Sequence, residues 1–153
     1  MNHRRLLITW VLALISLYAY SVTDYRSKIL GSWQCESSFE NAQGKFRIEG
    51  ITQLNPEGSI LSRGNLYAYN TMINAELPMS YNAEGNWSFD RLILKGHLLS
   101  GNIETGIPVL NKLADLLEIQ VTQKPDFSAR LTRIGDKAMV FEADDGTQID
   151  CKR

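Results

Sequence analysis

The side chains that most often carry catalysis are sparse in this 153-residue chain, which holds two histidines and two cysteines. His97 has no serine or cysteine beside it in a nucleophile context, so we interpret it as a structural or surface histidine. Asp144, Asp145 and Gly146 look like the start of a calcium loop, but the downstream bidentate glutamate is missing and a hairpin turn is favoured. No glycine-rich phosphate loop, His-Glu-x-x-His or Gly-x-Ser-x-Gly motif is present. We therefore expect no catalytic site, no metal site and no cofactor, and a protein that is not an enzyme.

The composition narrows the classes of partner. Sixteen lysines and arginines face 17 aspartates and glutamates, which leaves no basic surplus to neutralise a run of phosphates. Direct binding of nucleic acid is therefore not expected. With 22% charged and 44% hydrophobic residues, the chain has the composition of a globular protein, and its length predicts a single domain.

The N-terminus predicts a membrane anchor. Arg4 and Arg5 precede an uncharged stretch at 6–22, which would span roughly 25 Å as a helix, within the range for transmembrane helices. The two arginines favour a cytoplasmic N-terminus. A cleaved signal peptide with Ala19-Tyr20-Ser21 at the cleavage site is the alternative. With an anchor, a bacterial inner-membrane protein results, with a cytoplasmic stub at 1–5, a transmembrane helix at 6–22 and a periplasmic domain at 23–153.

Two cysteines lie near the ends of the exported part, Cys35 and Cys151. An even pair in an exported chain predicts a disulfide, although two unrelated buried thiols are the alternative. A ring of this size is worth on the order of 4–5 kcal/mol in the chain-entropy model. The bond would require the first and last strands to be neighbours.

The exported domain alternates apolar and polar residues with period two, interrupted by turn signals. The pattern predicts seven or eight antiparallel strands, with a bulge or a sharp bend at Gly64. Pro108 opens a stretch with apolar residues at three-four spacing, which predicts one helix ending near Gln123. Three strands follow, at 128–134, 137–143 and 147–152. A closed or nearly closed up-and-down barrel is the simplest architecture.

The first strand opens with Gly31-Ser32-Trp33, which resembles the Gly-x-Trp signature of lipocalin-type barrels. In those barrels the tryptophan closes one end and packs beneath a basic residue from a late strand, here Arg133, Lys152 or Arg153. The alternative is that Trp33 is an ordinary core aromatic. The predicted fold is therefore mainly β, a small antiparallel lipocalin-like (calycin) barrel with one helix before the last three strands.

The barrel interior is the candidate binding site. Barrels of about eight strands either fill with side chains, the commoner outcome at this size, or hold one small apolar ligand. Six inward residues are candidates for lining a cavity: Phe46, Leu66, Met72, Met79, Tyr81 and Trp87.

The whole organisation resembles the accessory proteins of membrane-tethered ToxR-like transcription regulators, the ToxS, VtrC, PsaF and FidL-like proteins. The matching segments are ITQLNPEGSI at 51–60, GNWSFD at 85–90, the late helix, and the hairpins ending in VFEADDG at 140–146. The resemblance is one of order, length and spacing. It implies a lipocalin-like domain that binds the periplasmic domain of its regulator and stabilises or activates it, with a small apolar ligand such as a bile salt sensed in the barrel. It assigns no ligand contacts to particular residues.

Two other functions stay open at this point. One is a stand-alone periplasmic carrier of an apolar small molecule, and the other is an envelope assembly factor or lysozyme-inhibitor-like protein. Neither of these functions requires a regulator as partner.

Membrane topology is directly testable. A reporter enzyme that is active only in the periplasm, fused after Arg153, should be active, and the full-length fusion should fractionate with the inner membrane. Release of a soluble mature form that begins near Val22 would contradict the anchor and favour the signal peptide.

Overall fold

The computed structural model describes residues 25–72 and 74–153. In this part of the chain eight antiparallel strands each pair with the next, and β1 pairs with β8 to close a barrel. The strands are β1 (Gly31–Asn41), β2 (Gly44–Leu54), β3 (Ser59–Asn70), β4 (Ala75–Asp90), β5 (Ile93–Glu104), β6 (Asp126–Ile134), β7 (Ala138–Ala143) and β8 (Gln148–Lys152). A 3-10 turn, Pro108–Leu110, leads into helix α1, Asn111–Gln123. The predicted mainly-β barrel, with one helix before its last three strands, is confirmed.

The predicted stub at 1–5 and transmembrane helix at 6–22 lie outside the described residues. Within the described part, residues 25–29 form a helical segment that leads into β1. No helix among the described residues is long and apolar enough to span a bilayer.

The strands differ in length, and this divides the barrel into two halves. Strands β1 to β5 have 11 to 16 residues, whereas β6, β7 and β8 have nine, six and five. As a result β1 pairs with β8 only over residues 34–37, and β5 pairs with β6 only over residues 93–97. All eight strands form a closed ring in what we call the lower half. In the upper half, β1 to β5 continue as a five-stranded sheet.

Each half has its own hydrophobic core. The lower core is formed by inward residues of the ring, including Trp33, Leu54 and Phe141. In the upper half, the 3-10 turn and α1 together pack Leu110, Ala114 and Leu117 onto an inner wall formed by Phe46, Leu66, Ala68 and Met79. The apolar residues at three-four spacing on the helix thus pack against those at every second position of the strands in one core.

Gly64 does not form a bulge. The register of β2 and β3 continues without a shift through the facing pair Gly50 and Gly64, and a register shift lies instead between Glu84 and Gly85. A Cβ atom on Gly50 would collide with the carbonyl oxygen of Arg63, and one on Gly64 with the carbonyl oxygen of Glu49. Glycine at both positions therefore permits a close approach of the two strands.

A disulfide joins the first strand to the last. Cys35 and Cys151 face each other directly in the β1–β8 register and are bonded across 116 residues of sequence. The predicted disulfide is confirmed, and so is the prediction that the first and last strands are neighbours. Because the β1–β8 pairing is short, the covalent bond contributes a large part of what holds this side of the ring together.

Loss of this disulfide should lower stability substantially. We expect the double substitution Cys35→Ser and Cys151→Ser to reduce the free energy of unfolding by about 2–5 kcal/mol, because the unfolded chain loses its largest constraint. Urea denaturation of the full chain would measure the change. Ser37→Ala, which alters the same seam without the crosslink, serves as the control. Equal stability of the oxidised wild type and the double variant would contradict the role we give the bond.

Candidate functional site

The lower half of the barrel encloses an apolar cavity of about 210 Å³, which we call the lower cavity. It is surrounded by side chains that the period-two alternation turns inward from all eight strands. Glu84, an exposed residue, is the one charged side chain among the described residues that line it. The lining comprises Cys35, Thr52, Leu54, Ile60, Ser62, Ala83, Glu84, Leu94, Leu98, Phe127, Ala129, Met139, Phe141, Ile149 and Cys151.

A second apolar cavity, the upper cavity, measures about 130 Å³ and lies between the upper sheet and α1. Its walls include Leu66 and Tyr81 from the sheet and Leu117 from the helix. Ala83 lines both cavities, so the two are adjacent along the barrel axis.

Three hydroxyl groups form a chain where the two cavities meet. The hydroxyl oxygens of Thr52 and Ser62 are 3.0 Å apart, and those of Ser62 and Tyr81 are 3.2 Å apart. Thr52 and Ser62 belong to the wall of the lower cavity, and Tyr81 belongs to the wall of the upper one. The chain is therefore a polar bridge set in an otherwise apolar interior.

Tyr81 occupies the space that the glycine pair leaves open. A Cβ atom on Gly50 would lie 2.7 Å from the Tyr81 hydroxyl, so a larger residue there would displace the phenol. Burial raises the pKa of Tyr81, while its hydrogen bond with Ser62 opposes the shift. Tyr81 is therefore a neutral hydroxyl at physiological pH.

Of the six residues predicted to line a cavity, Leu66 and Tyr81 do so, in the upper cavity. Phe46 and Met79 are buried in the upper core beneath α1, where they fill space. Trp87 is buried in the lower core. Five of the six side chains therefore lie in the interior. Three of them fill space in the two cores, and two line the upper cavity.

Met72 is not part of the interior, and its prediction as a lining residue is wrong. The side chain is 90% exposed, because β3 ends at Asn70 and the alternation ends with it. The Asn70 side-chain oxygen accepts a hydrogen bond from the backbone N–H of Met72 at 2.9 Å, a turn that redirects the chain.

Thr52 and Ser62 are site residues that the sequence pattern did not predict. Both stand at inward positions, two residues from Gly50 and from Gly64 respectively, where the pattern otherwise places apolar side chains. A polar residue at an inward position was the available signal. Which hydroxyls meet depends on the register between β2, β3 and β4, which no local pattern reports.

The lower end of the barrel is closed by Trp33, which is 1% exposed and donates its indole N–H to the carbonyl oxygen of Ile29 at 2.8 Å. Of the three candidate cations, Arg153 covers the ring, with its Cζ atom 3.8 Å from the centroid. The same guanidinium donates to the carbonyl oxygens of Lys28 at 2.6 Å and Leu30 at 3.0 Å. The chain terminus thus fastens the segment before β1 across the end of the barrel.

An ion-pair network lies on the outer wall. Arg47 donates to Glu76 at 2.7 Å and to Glu49 at 2.6 Å, and the Tyr67 hydroxyl donates to Glu49 at 2.7 Å. The hydrogen bond from Tyr67, followed by that from Arg47, lowers the pKa of Glu49, and Arg47 lowers the pKa of Glu76. These residues alternate with the inward ones, so the network faces away from the cavities. Solvent-exposed pairs of this kind contribute little to stability.

Two further sets of titratable side chains, which could in principle act in catalysis or metal binding, lie at the surface. His97 contacts the carboxylate of Asp126 at 2.7 Å, and both side chains are exposed. Asp145 accepts the backbone N–H of Thr147 in the β7–β8 turn, which is the predicted hairpin. In residues 25–72 and 74–153, no group of three or more His, Cys, Asp or Glu side chains could hold a metal ion.

Comparison with known proteins adds little to this description. No protein-family model and no curated protein matches the sequence. A lipocalin-like protein from Bacteroides uniformis superposes with a TM-score of 0.46 and 12% identity, covering 82% of this chain and 98% of its own. An uncharacterised protein from Bacteroides eggerthii gives 0.45 and 13%, covering 81% and 98%, and a designed fluorescence-activating β-barrel gives 0.35 and 10%, covering 83% and 94%. These scores are low, so the assignment of the barrel rests on the strand pairing of this chain.

The closed end of the barrel should depend on Arg153. We expect Arg153→Ala to lower the free energy of unfolding by about 1–2 kcal/mol, because it removes a cation–π contact and two charge-assisted hydrogen bonds at a partly solvated site. Chemical denaturation would measure the loss. The neighbouring Lys152→Ala removes an exposed charge and should change stability by less than about 0.5 kcal/mol. Equal effects of the two substitutions would contradict this account of the closed end.

Proposed function

We propose that this protein is a binding protein, not an enzyme, and that its barrel holds one small apolar molecule in the lower cavity. The observation that carries the proposal is the cavity itself, about 210 Å³ in volume with an almost wholly apolar lining. An apolar cavity of about 150 Å³ in another protein stays dry and binds benzene. A single substituted ring therefore fits the lower cavity.

The expected affinity follows from the surface that such a ligand buries. At about 0.8 kcal/mol per buried carbon group, a seven-carbon ring compound gains on the order of 4–6 kcal/mol, which corresponds to a Kd of about 0.1–1 mM. A four-ring bile salt is larger than either cavity. It would fit only if the two cavities merged through displacement of Tyr81.

Toluene provides the direct test. We expect toluene to bind the full chain in lipid nanodiscs with a Kd of about 0.1–1 mM, measured by ligand-observed NMR. Ala129→Leu adds carbon atoms inside the lower cavity and should weaken binding at least tenfold because the ring no longer fits.

Ala138→Leu makes the same change at an exposed position in β7 and should leave binding unchanged. Because toluene also enters lipid, the difference between the two variants reports the cavity alone. Equal binding by both variants would contradict the proposal.

A second proposed role is that of a periplasmic accessory to a membrane-tethered ToxR-like regulator, with residues 6–22 as the inner-membrane anchor. The supporting observation is the unequal length of the strands. Within the described part of the chain, residues 38–41 of β1 and 98–104 of β5 have a strand neighbour on one side only. On β5 the helix covers part of this edge, where the Ile103 N–H donates to Glu118 at 3.2 Å. The β1 edge is suited to pairing with an extended segment of a partner.

The proposed output is a larger population of the folded form of the partner's periplasmic domain. In this proposed role a signal reaches the cytoplasm through the partner's own membrane span. A partner segment that adds to the β1 edge is stabilised in its folded form by mass action, and ligand binding in the barrel would change that equilibrium only if it changed the affinity for the partner. A stand-alone carrier would need neither step.

Co-purification distinguishes these two roles. We expect the full chain to co-purify with the periplasmic domain of a regulator encoded beside it, and the pair to melt at a higher temperature than either chain alone. Glu40→Pro, which removes a backbone N–H that points to the free edge of β1, should abolish co-purification, because it blocks strand pairing there. Glu40→Ala is the control that keeps the backbone N–H. Full stability alone, with unchanged level and output of the regulator after deletion, would favour the carrier.

A further inference from the structure

The chain of three hydroxyls is the polar feature of the interior that packing does not explain. Thr52, Ser62 and Tyr81 come from three neighbouring strands: Thr52 and Ser62 face each other in the register, and Tyr81, opposite Gly64, lies diagonal to Ser62. Apolar residues at these positions would fill the barrel without any need for hydrogen bonds. Three hydroxyls beside an apolar cavity instead present groups that can recognise a polar atom.

The three hydroxyl groups have hydrogen-bonding capacity left for a ligand. Three hydroxyl groups carry three hydrogens, and the two contacts at 3.0 and 3.2 Å use two of them. One hydroxyl hydrogen therefore remains, together with lone pairs on the oxygens. Because Thr52 and Ser62 line the lower cavity, a molecule inside it is within reach of this remaining capacity.

The surroundings also restrict the charge of the occupant. Among the described lining residues the lone charged side chain is Glu84, which is exposed, and no lysine, arginine or histidine lines the lower cavity. A carboxylate there would lose its hydration without gaining a cation. An ammonium group could approach only the exposed Glu84 and would not be neutralised deep in the cavity. The occupant should therefore be neutral.

From these observations we infer that the lower cavity selects a neutral, ring-sized apolar molecule with one hydroxyl group, which the Thr52–Ser62–Tyr81 chain recognises. This inference rests on the proposed binding function and specifies its ligand class. The hydroxyl of the ligand would extend the hydrogen-bonded chain by one member, while the ring contacts the apolar wall. Phenols and cyclic alcohols belong to this class, and carboxylic acids do not.

A matched pair of probes tests the inference on the full chain in lipid nanodiscs. Toluene and 4-cresol differ by one hydroxyl, and the ratio of their affinities isolates its contribution. We expect Ser62→Ala and, independently, Thr52→Val to lower the ratio of 4-cresol to toluene affinity about five- to tenfold, the effect of one net hydrogen bond. Toluene affinity is measured for each variant in parallel, so that the ratio separates the contribution of the hydroxyl from any change in apolar contact.

Two controls, one variant and one charged probe, accompany these measurements. Tyr67→Phe removes a hydroxyl from the outer wall and should leave the ratio unchanged. The anion 4-methylbenzoate should not bind at neutral pH. If toluene binds but the ratio is the same in the wild type and both interior variants, or if the benzoate binds as well as 4-cresol, the inference is overturned while the proposed function stands. If neither toluene nor 4-cresol binds the wild type, the proposed function fails first.

Discussion

The short seam between β1 and β8 is the constraint on which the rest of the structure depends. Only residues 34–37 of β1 pair with β8, and one of those pairs is the disulfide between Cys35 and Cys151. The two cysteines and Ile149, next to them, also belong to the wall of the lower cavity. Opening the seam would therefore remove the ring and the cavity together. Arg153 stabilises the lower end of the same seam, because its guanidinium stacks on Trp33.

The unequal strand lengths explain why the barrel has two different halves. Where β6 to β8 are present, the ring closes on itself and leaves a cavity that side chains do not fill. Where they end, α1 completes the core by packing onto the sheet. A helix on a curved sheet cannot match its surface as closely as strands pair with each other, and the upper cavity lies at that contact. The same change in length exposes the β1 edge proposed for the partner.

The interior is not optimised for stability alone. An unfilled cavity forgoes packing contacts, and partly buried hydroxyls lose some hydration that two hydrogen bonds only partly replace. A barrel with larger apolar residues at Thr52, Ser62 and Ala83 would be expected to be more stable. Features that reduce stability are commonly functional, and here they coincide at the boundary between the two cavities. This coincidence is why the proposed site is placed there and not in the outer ion-pair network.

The sequence predicted a mainly β fold of seven or eight antiparallel strands with one late helix, because alternation, turn residues and helix spacing are local signals. It also predicted the disulfide, and the inward direction of Phe46, Leu66, Met79, Tyr81 and Trp87, whereas closure of the ring by eight strands was settled by the pairing of β1 with β8. It could not determine which inward residues fill space and which surround a cavity, since that depends on side chains contributed by strands far apart in sequence. The prediction for Met72 was wrong because β3 ends at Asn70, whose side-chain oxygen accepts the backbone N–H of Met72 in the turn that follows. The meeting of Thr52, Ser62 and Tyr81, and the choice of Arg153 over Arg133 and Lys152, were decided only by the register of the closed sheet, because pairing between strands sets those distances.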